Sequence, residues 1–258
     1  MKTALITGGS GDIGAEIAKT LSSDGFQVFL SGRNTNKLHE IAQSLDSAKC
    51  SANYFAIDLM KDKSAEELVK EANSIIGPID ILINNAGIYE WGSVDRRTKS
   101  LENFQDITKN IKLIRDSFRL NAEIPLELTS LLVPHMKKKQ WGRIINIGSI
   151  SGIVGEPNAS IYSSSKASLI GLTKSLGLEL AEFGITVNTI NPGWVKTDMT
   201  NKALEEGKII EREELETIPQ KRWIEPYEIA KMVSYLSSEQ AKGITGQLIN
   251  ICAGLSLG

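Results

Sequence analysis

Short apolar runs alternate along this chain with longer stretches in which apolar residues recur at helical spacing. TALIT (3–7), QVFLS (27–31), NYFAI (53–57), IDILINN (79–85), GRIINIGS (142–149), ITVNTI (185–190) and GQLINI (246–251) read as seven strands. Helices are predicted over 13–23, where Ile17, Ala18 and Leu21 share a face, and over 36–45, 64–76, 107–139, 160–183 and 226–236. The strands are almost continuously apolar, as expected of a sheet covered on both faces. The alternation predicts an α/β, Rossmann-like doubly wound fold: a seven-stranded parallel sheet with helices on both faces, in three αβα layers.

Two segments break the rhythm. Residues 88–106 are polar and irregular and contain the charge run DRRTK (95–99), and residues 193–225 hold two possible short helices. Long irregular segments in compact α/β domains are more often lids or binding loops than spacers. The second one leaves the carboxyl end of a strand, where such folds bind ligands. No repeat or linker divides the chain, so one domain over 1–258 is expected, with 193–225 as its substrate loop.

Composition narrows the function. The 258 residues carry a formal net charge of −2, which gives no reason to expect nucleic-acid or anionic-membrane binding. The basic runs DRRTK and MKKKQ (136–140) lack flanking aromatic platforms. Two cysteines, Cys50 and Cys252, and two histidines, His39 and His135, form neither a disulfide framework nor a metal-ligand spacing, so no metal is expected. The first residues already read as a strand, and no apolar run reaches membrane-spanning length. The expectation is a soluble, reduced, cytoplasmic protein.

The candidate chemistry begins at TGGSGDIG (7–14), between the first strand and the first helix. Gly8, Gly9 and Gly11 let the backbone bend and approach a ligand, and a helix N-terminus favours an anion. Asp12 argues the other way, since a carboxylate repels a phosphate. It reads best as the N-cap of the helix, turned onto its first amides. From the loop alone, a nucleotide site and a plain structural turn both stay open. The second strand ends in SGRN (31–34), with Arg33 where an NAD site would carry an acid. A guanidinium there suits a ribose 2′-phosphate, so NADP(H) is preferred over NAD(H). In the second half, Ser149 closes the fifth strand, and Tyr162 and Lys166 stand four apart on one helical face. A nearby ammonium would lower the tyrosine pKa, letting Tyr162 exchange a proton with a carbonyl or hydroxyl oxygen held by Ser149.

These motifs, in this order, closely resemble the classical short-chain dehydrogenases/reductases over essentially the whole chain. TGGSGDIG is similar to the family's TGxxxGxG loop, NNAG (84–87) to its strand-four motif and NPGWVKT (191–197) to its nicotinamide segment. Asn121, Ser149, Tyr162 and Lys166 match its catalytic set. The resemblance implies that Tyr162 is the acid/base, that Lys166 binds the nicotinamide ribose and tunes Tyr162, that Ser149 orients the substrate and that Asn121 supports a water-linked proton path. It implies cofactor contacts at Gly8, Ser10, Gly11, Asp12, Ile13, Gly14 and Arg33. Further contacts are implied at Asp58 and Leu59, at Asn85, Ala86 and Gly87, and at Pro192, Gly193, Val195 and Thr197, besides Tyr162 and Lys166. It also implies a homotetramer or homodimer built through helices such as 107–139 and 160–183.

The chain departs from the pattern in four places. Asp12 replaces a glycine, and the stretch between NNAG and Asn121 is longer than is usual. Trp223 stands where a glycine commonly follows a basic residue, and Ala253-Gly254 replaces a glycine pair. The expected activity is an NADP(H)-dependent oxidoreductase passing hydride between nicotinamide and a ketone or secondary alcohol. A 3-oxoacyl-thioester reductase, resembling 3-oxoacyl-[acyl-carrier-protein] reductases, is the preferred subtype. A sugar, polyol or other small-ketone dehydrogenase is the alternative, and a non-catalytic NADP(H) sensor is an alternative of another class.

Overall fold

The structure is a computed structural model that describes residues 1–45, 52–89, 107–207 and 209–256. Its chain order is β1 (Thr3–Thr7), α1 (Asp12–Ser23), β2 (Gln27–Gly32), α2 (Thr35–Leu45), β3 (Ala52–Ala56), α3 (Ser64–Ile76) and β4 (Ile81–Asn84). It continues with α4 (Ile107–Phe118), a π-helical turn (Arg119–Glu123), α5 (Ile124–Lys139), β5 (Gly142–Ile147), α6 (Ser151–Val154) and α7 (Ser160–Leu180). A 3-10 turn (Ala181–Phe183), β6 (Ile185–Pro192), α8 (Asp198–Glu205), α9 (Glu211–Thr217), α10 (Pro226–Ser237) and β7 (Leu248–Ile251) complete it. Most of the 88–106 segment, with DRRTK, and Cys50 lie outside the described residues.

The seven strands form one parallel sheet in the order β3-β2-β1-β4-β5-β6-β7. The order reverses between β1 and β4, which opens a crevice at their carboxyl ends. Alternation along β1 shows why the strands are apolar throughout. Ala4 and Ile6 enter one core with Ile17 and Leu21 of α1 and Val233 of α10, whereas Leu5 enters the opposite core with Leu68 of α3 and Leu128 and Leu132 of α5.

Three boundaries differ from the sequence reading. The helix predicted over 107–139 is interrupted by the π turn. Pro125 has no N–H with which to bond the carbonyl four residues back, that of Asn121, and the ladder slips so that Ile124 N–H bonds Arg119 O. The last strand begins at Leu248 rather than 246, because Gly246 adopts a left-handed φ of 69° while its N–H bonds Val187 O. A one-turn helix, α6, occupies Ser151–Val154, where the sequence pattern predicts no helix.

Candidate active site

The glycine loop is latched to the end of β4. Asn85 Nδ2 donates to Thr7 O (3.0 Å) and Gly8 O (3.1 Å), and Thr7 Oγ1 accepts from the N–H groups of Asn85 and Ala86 (both 3.0 Å). Gly8 sits at φ +66°, and a Cβ there would meet Ala86 Cα at 2.9 Å. A Cβ on Gly14 would lie 2.3 Å from Gly8 O. These two glycines are therefore required by the loop's own packing. Gly11 differs, because a Cβ there would touch nothing nearer than Gly8 O at 3.5 Å. It is the N-cap of α1 and offers no side-chain acceptor, so the first-turn amides open toward an outside anion. That is the provision a dinucleotide pyrophosphate needs, and the loop fits it.

The expectation that Asp12 caps α1 is corrected. Asp12 is the first helical residue, one position past the cap. Its carboxylate reaches across the crevice to accept Asp198 N–H at 2.7 Å, at the start of α8. Asp198 in turn pairs with Lys37 Nζ at 3.3 Å. The acid is thus engaged away from the open amides.

At the far end of the loop, Ser10, Arg33 and Asn34 line a shallow depression beyond β2. Arg33 is exposed and has no ion-pair partner among the described residues, leaving its guanidinium available to an anionic group. Asp58 follows β3, and its Oδ1 accepts Met60 N–H at 3.1 Å. Leu59 beside it is buried.

A cavity of about 500 Å³ fills the crevice. Ile13, Asn85 and Gly87 line it from the loop side, and Pro192, Gly193, Val195 and Thr197 from the end of β6 and the segment after it. Thr197 also caps α8, its hydroxyl accepting Thr200 N–H at 3.3 Å. Ser149, Tyr162 and Lys166 share the facing wall. Lys166 is buried and donates to Ile147 O at 2.8 Å, and burial lowers its pKa to about 8. Asn121 does not line the cavity. It is buried behind it, with Nδ2 donating to Ile88 O (3.0 Å) and Ser165 Oγ (2.9 Å) and Oδ1 accepting Ile88 N–H (3.0 Å). A Cβ on Gly87 would meet both Asn121 Oδ1 (3.1 Å) and Lys166 Nζ (3.2 Å), so the absent side chain there lets the two approach.

The expected lowering of the Tyr162 pKa by Lys166 is not what the apoprotein shows. Burial pushes the phenol up to about 12 and the Glu156 charge adds to the rise; a Ser149 hydroxyl proton turned to the phenol oxygen would oppose it. Lys166 Nζ is directed to Ile147 O and lies 5.9 Å from the Tyr162 ring centroid, too weak an influence to outweigh burial.

Sequence reasoning missed the outer wall. Tyr89 stands edge-on to Tyr162 with ring centroids 4.9 Å apart, Trp194 lies 6.4 Å beyond Tyr89, and Trp223 lies 6.0 Å beyond Trp194. Each polar edge is held by a glutamate: Tyr89 OH donates to Glu156 (2.7 Å), Trp194 Nε1 to Glu214 (2.9 Å) and Trp223 Nε1 to Glu211 (3.0 Å). Burial pushes the Glu214 carboxyl up, the Trp194 bond opposes this, and the nearby Glu156 charge adds to the rise. Trp223 is thus the end of an aromatic row. Among the described residues no three His, Cys, Asp or Glu side chains are placed to hold a metal, and no helix is long and apolar enough to cross a membrane.

Comparison with known proteins agrees with this geometry. Residues 2–208 match the family model described as short chain dehydrogenase. The chain is 38% identical over 256 residues to the 3-oxoacyl-[acyl-carrier-protein] reductase FabG of Rickettsia conorii, covering 98% of this chain and 96% of that protein. It is 34% identical over 255 residues to the FabG of Staphylococcus epidermidis, covering 98% of each. Among solved structures, an actinorhodin polyketide ketoreductase variant with NADPH superposes with a TM-score of 0.87 at 34% identity, covering 98% of this chain and 97% of that one. YwfH, an NADPH dependent reductase involved in bacilysin biosynthesis, superposes with a TM-score of 0.89 at 27% identity over 100% of this chain and 99% of that one. The seven-stranded parallel sheet, the latched glycine loop and these matches have one reading: the chain belongs to the short-chain dehydrogenase family of nicotinamide-dependent oxidoreductases.

Proposed function

We propose that this protein is an NADPH-dependent ketoreductase acting on a 3-oxoacyl thioester or a ketone of similar shape. The observation that carries the reading is the meeting of Ser149, Tyr162 and Lys166 on one wall of a cavity whose opposite side is the glycine loop. The bound nicotinamide would supply the hydride, which no side chain can provide. Tyr162, kept protonated by its raised pKa, gives its phenolic proton to the carbonyl oxygen as the alcohol forms. Ser149 hydrogen-bonds that same oxygen. Lys166 holds the cofactor ribose and supplies positive charge as the phenol loses its proton, and Asn121 supports Lys166 through the Ile88 segment.

The protonated form of Tyr162, which burial favours, is the form that ketone reduction requires. A thioester or apolar ketone is favoured over a sugar because Ile88, Val154, Met199 and Leu255 line the cavity, while Glu156 and Glu214 already accept donors from the protein. Preference for NADPH rests on Arg33 and Ser10, and likeness to a polyketide ketoreductase with NADPH and to the NADPH dependent reductase YwfH supports it. We further read the protein as a cytoplasmic homotetramer or homodimer. Exposed Ile111 and Ile114 on α4, Leu126 and Leu131 on α5 and Leu178 on α7 would supply the subunit contacts.

Parallel fluorescence titrations with NADPH and NADH test the cofactor assignment. The expected result is tighter NADPH binding, with Arg33→Ala weakening NADPH by about tenfold and NADH little. Equal affinities would remove Arg33 from the account.

A further inference from the structure

Glu156 takes no part in the Ser-Tyr-Lys reading, yet it is the hub of the cavity's polar contacts. Its Oε1 accepts Tyr89 OH at 2.7 Å, and its Oε2 accepts Ser151 Oγ at 2.7 Å. Ser151 Oγ in turn accepts from Ser149 Oγ at 3.1 Å, and Ser151 N–H donates to Ser149 Oγ at 3.1 Å. An ionised carboxylate can only accept, and a hydroxyl has one proton. With the Ser151 proton committed to Glu156, its oxygen is left to receive the Ser149 proton. Without a substrate oxygen to receive it, the Ser149 proton therefore points to Ser151 and not to Tyr162; a bound carbonyl oxygen would draw it from Ser151.

We propose that Glu156 is a positioning residue: through Ser151 it sets the direction of the Ser149 hydroxyl, and through Tyr89 it holds the aromatic wall edge-on to Tyr162. The assignment rests on the ketoreductase reading for its effect on turnover, but not for its effect on the Tyr162 phenol. Among the described residues, the titratable groups around Glu156 are Tyr89 from the segment after β4, Tyr162 and Lys166 from α7, and Glu214 from α9. Only Lys166 among them is cationic, and its ammonium is turned to Ile147 O.

Glu156→Gln keeps the shape and changes two things. The amide N–H can donate to Ser151 Oγ, which releases the Ser151 proton to Ser149 and the Ser149 proton to the Tyr162 oxygen. A negative charge beside the phenol is also removed. Both changes favour the phenolate, so the Tyr162 pKa falls. Ketone reduction needs Tyr162 protonated, so the alkaline limb of kcat against pH moves to lower pH by roughly half a unit or more.

The experiment measures that limb for a 3-oxoacyl thioester with NADPH, and the phenolate absorbance of the apoprotein as a difference against Tyr162→Phe. In Glu156→Gln both should move to lower pH. Ser151→Ala breaks the relay but keeps the charge, and should move both in the same direction by less. It also serves if Glu156→Gln fails to fold. Tyr89→Phe keeps relay and charge, and should raise KM while leaving the limb in place. Glu156→Gln and Ser151→Ala proteins with unmoved phenol titrations, their kcat lowered alike at every pH, would overturn the proposal. A wild-type protein without turnover would instead overturn the ketoreductase reading, and the phenol titration would still decide the role of Glu156.

Discussion

Two glycines three residues apart should fail in different ways when each becomes alanine. A Cβ on Gly14 would stand 2.3 Å from Gly8 O and 2.9 Å from Asn85 Nδ2, roughly 1 Å inside ordinary contact with a backbone carbonyl. Gly8 cannot retreat, because it already abuts Ala86. Overpacking of this kind costs about 1–3 kcal/mol, and loosening the two Asn85 bonds adds about 1 kcal/mol each. The sum is about 3–5 kcal/mol, or about 10–15 °C in Tm for a chain of this size. Gly11→Ala meets only Gly8 O at 3.5 Å, and φ at Gly11 is −91°, which alanine adopts freely. Its apoprotein Tm should fall by less than about 2 °C. The added methyl would crowd the face to which the first-turn amides open, so the NADPH Kd should rise about tenfold or more. Calorimetry of the apoproteins and fluorescence titration with NADPH separate the two. A Gly11→Ala protein that binds NADPH like the wild type would refute the loop as a phosphate site. A Gly14→Ala protein with wild-type Tm would refute the packing argument.

Lys166→Met should make the apoprotein more stable at pH 7. Burial holds the folded-state pKa at about 8, below the ordinary 10.5, so the stability Lys166 contributes is full above 10.5 and is lost as pH falls through 8. That difference is worth about 3 kcal/mol, less about 1 for the bond to Ile147 O, so Tm should rise by about 5 °C at pH 7 and the gain should shrink toward pH 10; melting curves across this range would contradict the account if the gain were constant. Gln140→Gly should raise Tm by about 2 °C, since Gln140 closes α5 in the left-handed region at φ 54°. An unchanged or lower Tm would mean that its side-chain bond to Lys137 O outweighs the backbone strain.

Local pattern made most of the fold legible. Ala4, Leu5 and Ile6 alternate between two cores, and the apolar run that recorded this could be read without coordinates. Ser149, Tyr162 and Lys166 were legible because one strand end and one helix face carry them. The break at Arg119–Glu123 was harder, because it turns on one missing donor, that of Pro125, within a region whose apolar spacing stays helical. Asp12 was misplaced by one position. Its real partner, Asp198 N–H, is far away in sequence. The outer wall left no local signal, because Tyr89, Glu156, Trp194 and Glu214 come from four separate segments that only the folded chain assembles. Trp223 did leave a trace, as a bulky residue in a glycine's place, and its partners Trp194 and Glu211 explain it.

The account's central claim is that Tyr162 gives the proton that completes ketone reduction in an enzyme that holds NADPH on its glycine loop. The most direct measurement compares wild type and Tyr162→Phe for NADPH binding and for NADPH consumption with a 3-oxoacyl thioester. The account predicts an NADPH Kd within about threefold of wild type and kcat lower by a factor of about 100 or more in the variant. Turnover by Tyr162→Phe at the wild-type rate, with NADPH bound as tightly, would contradict it.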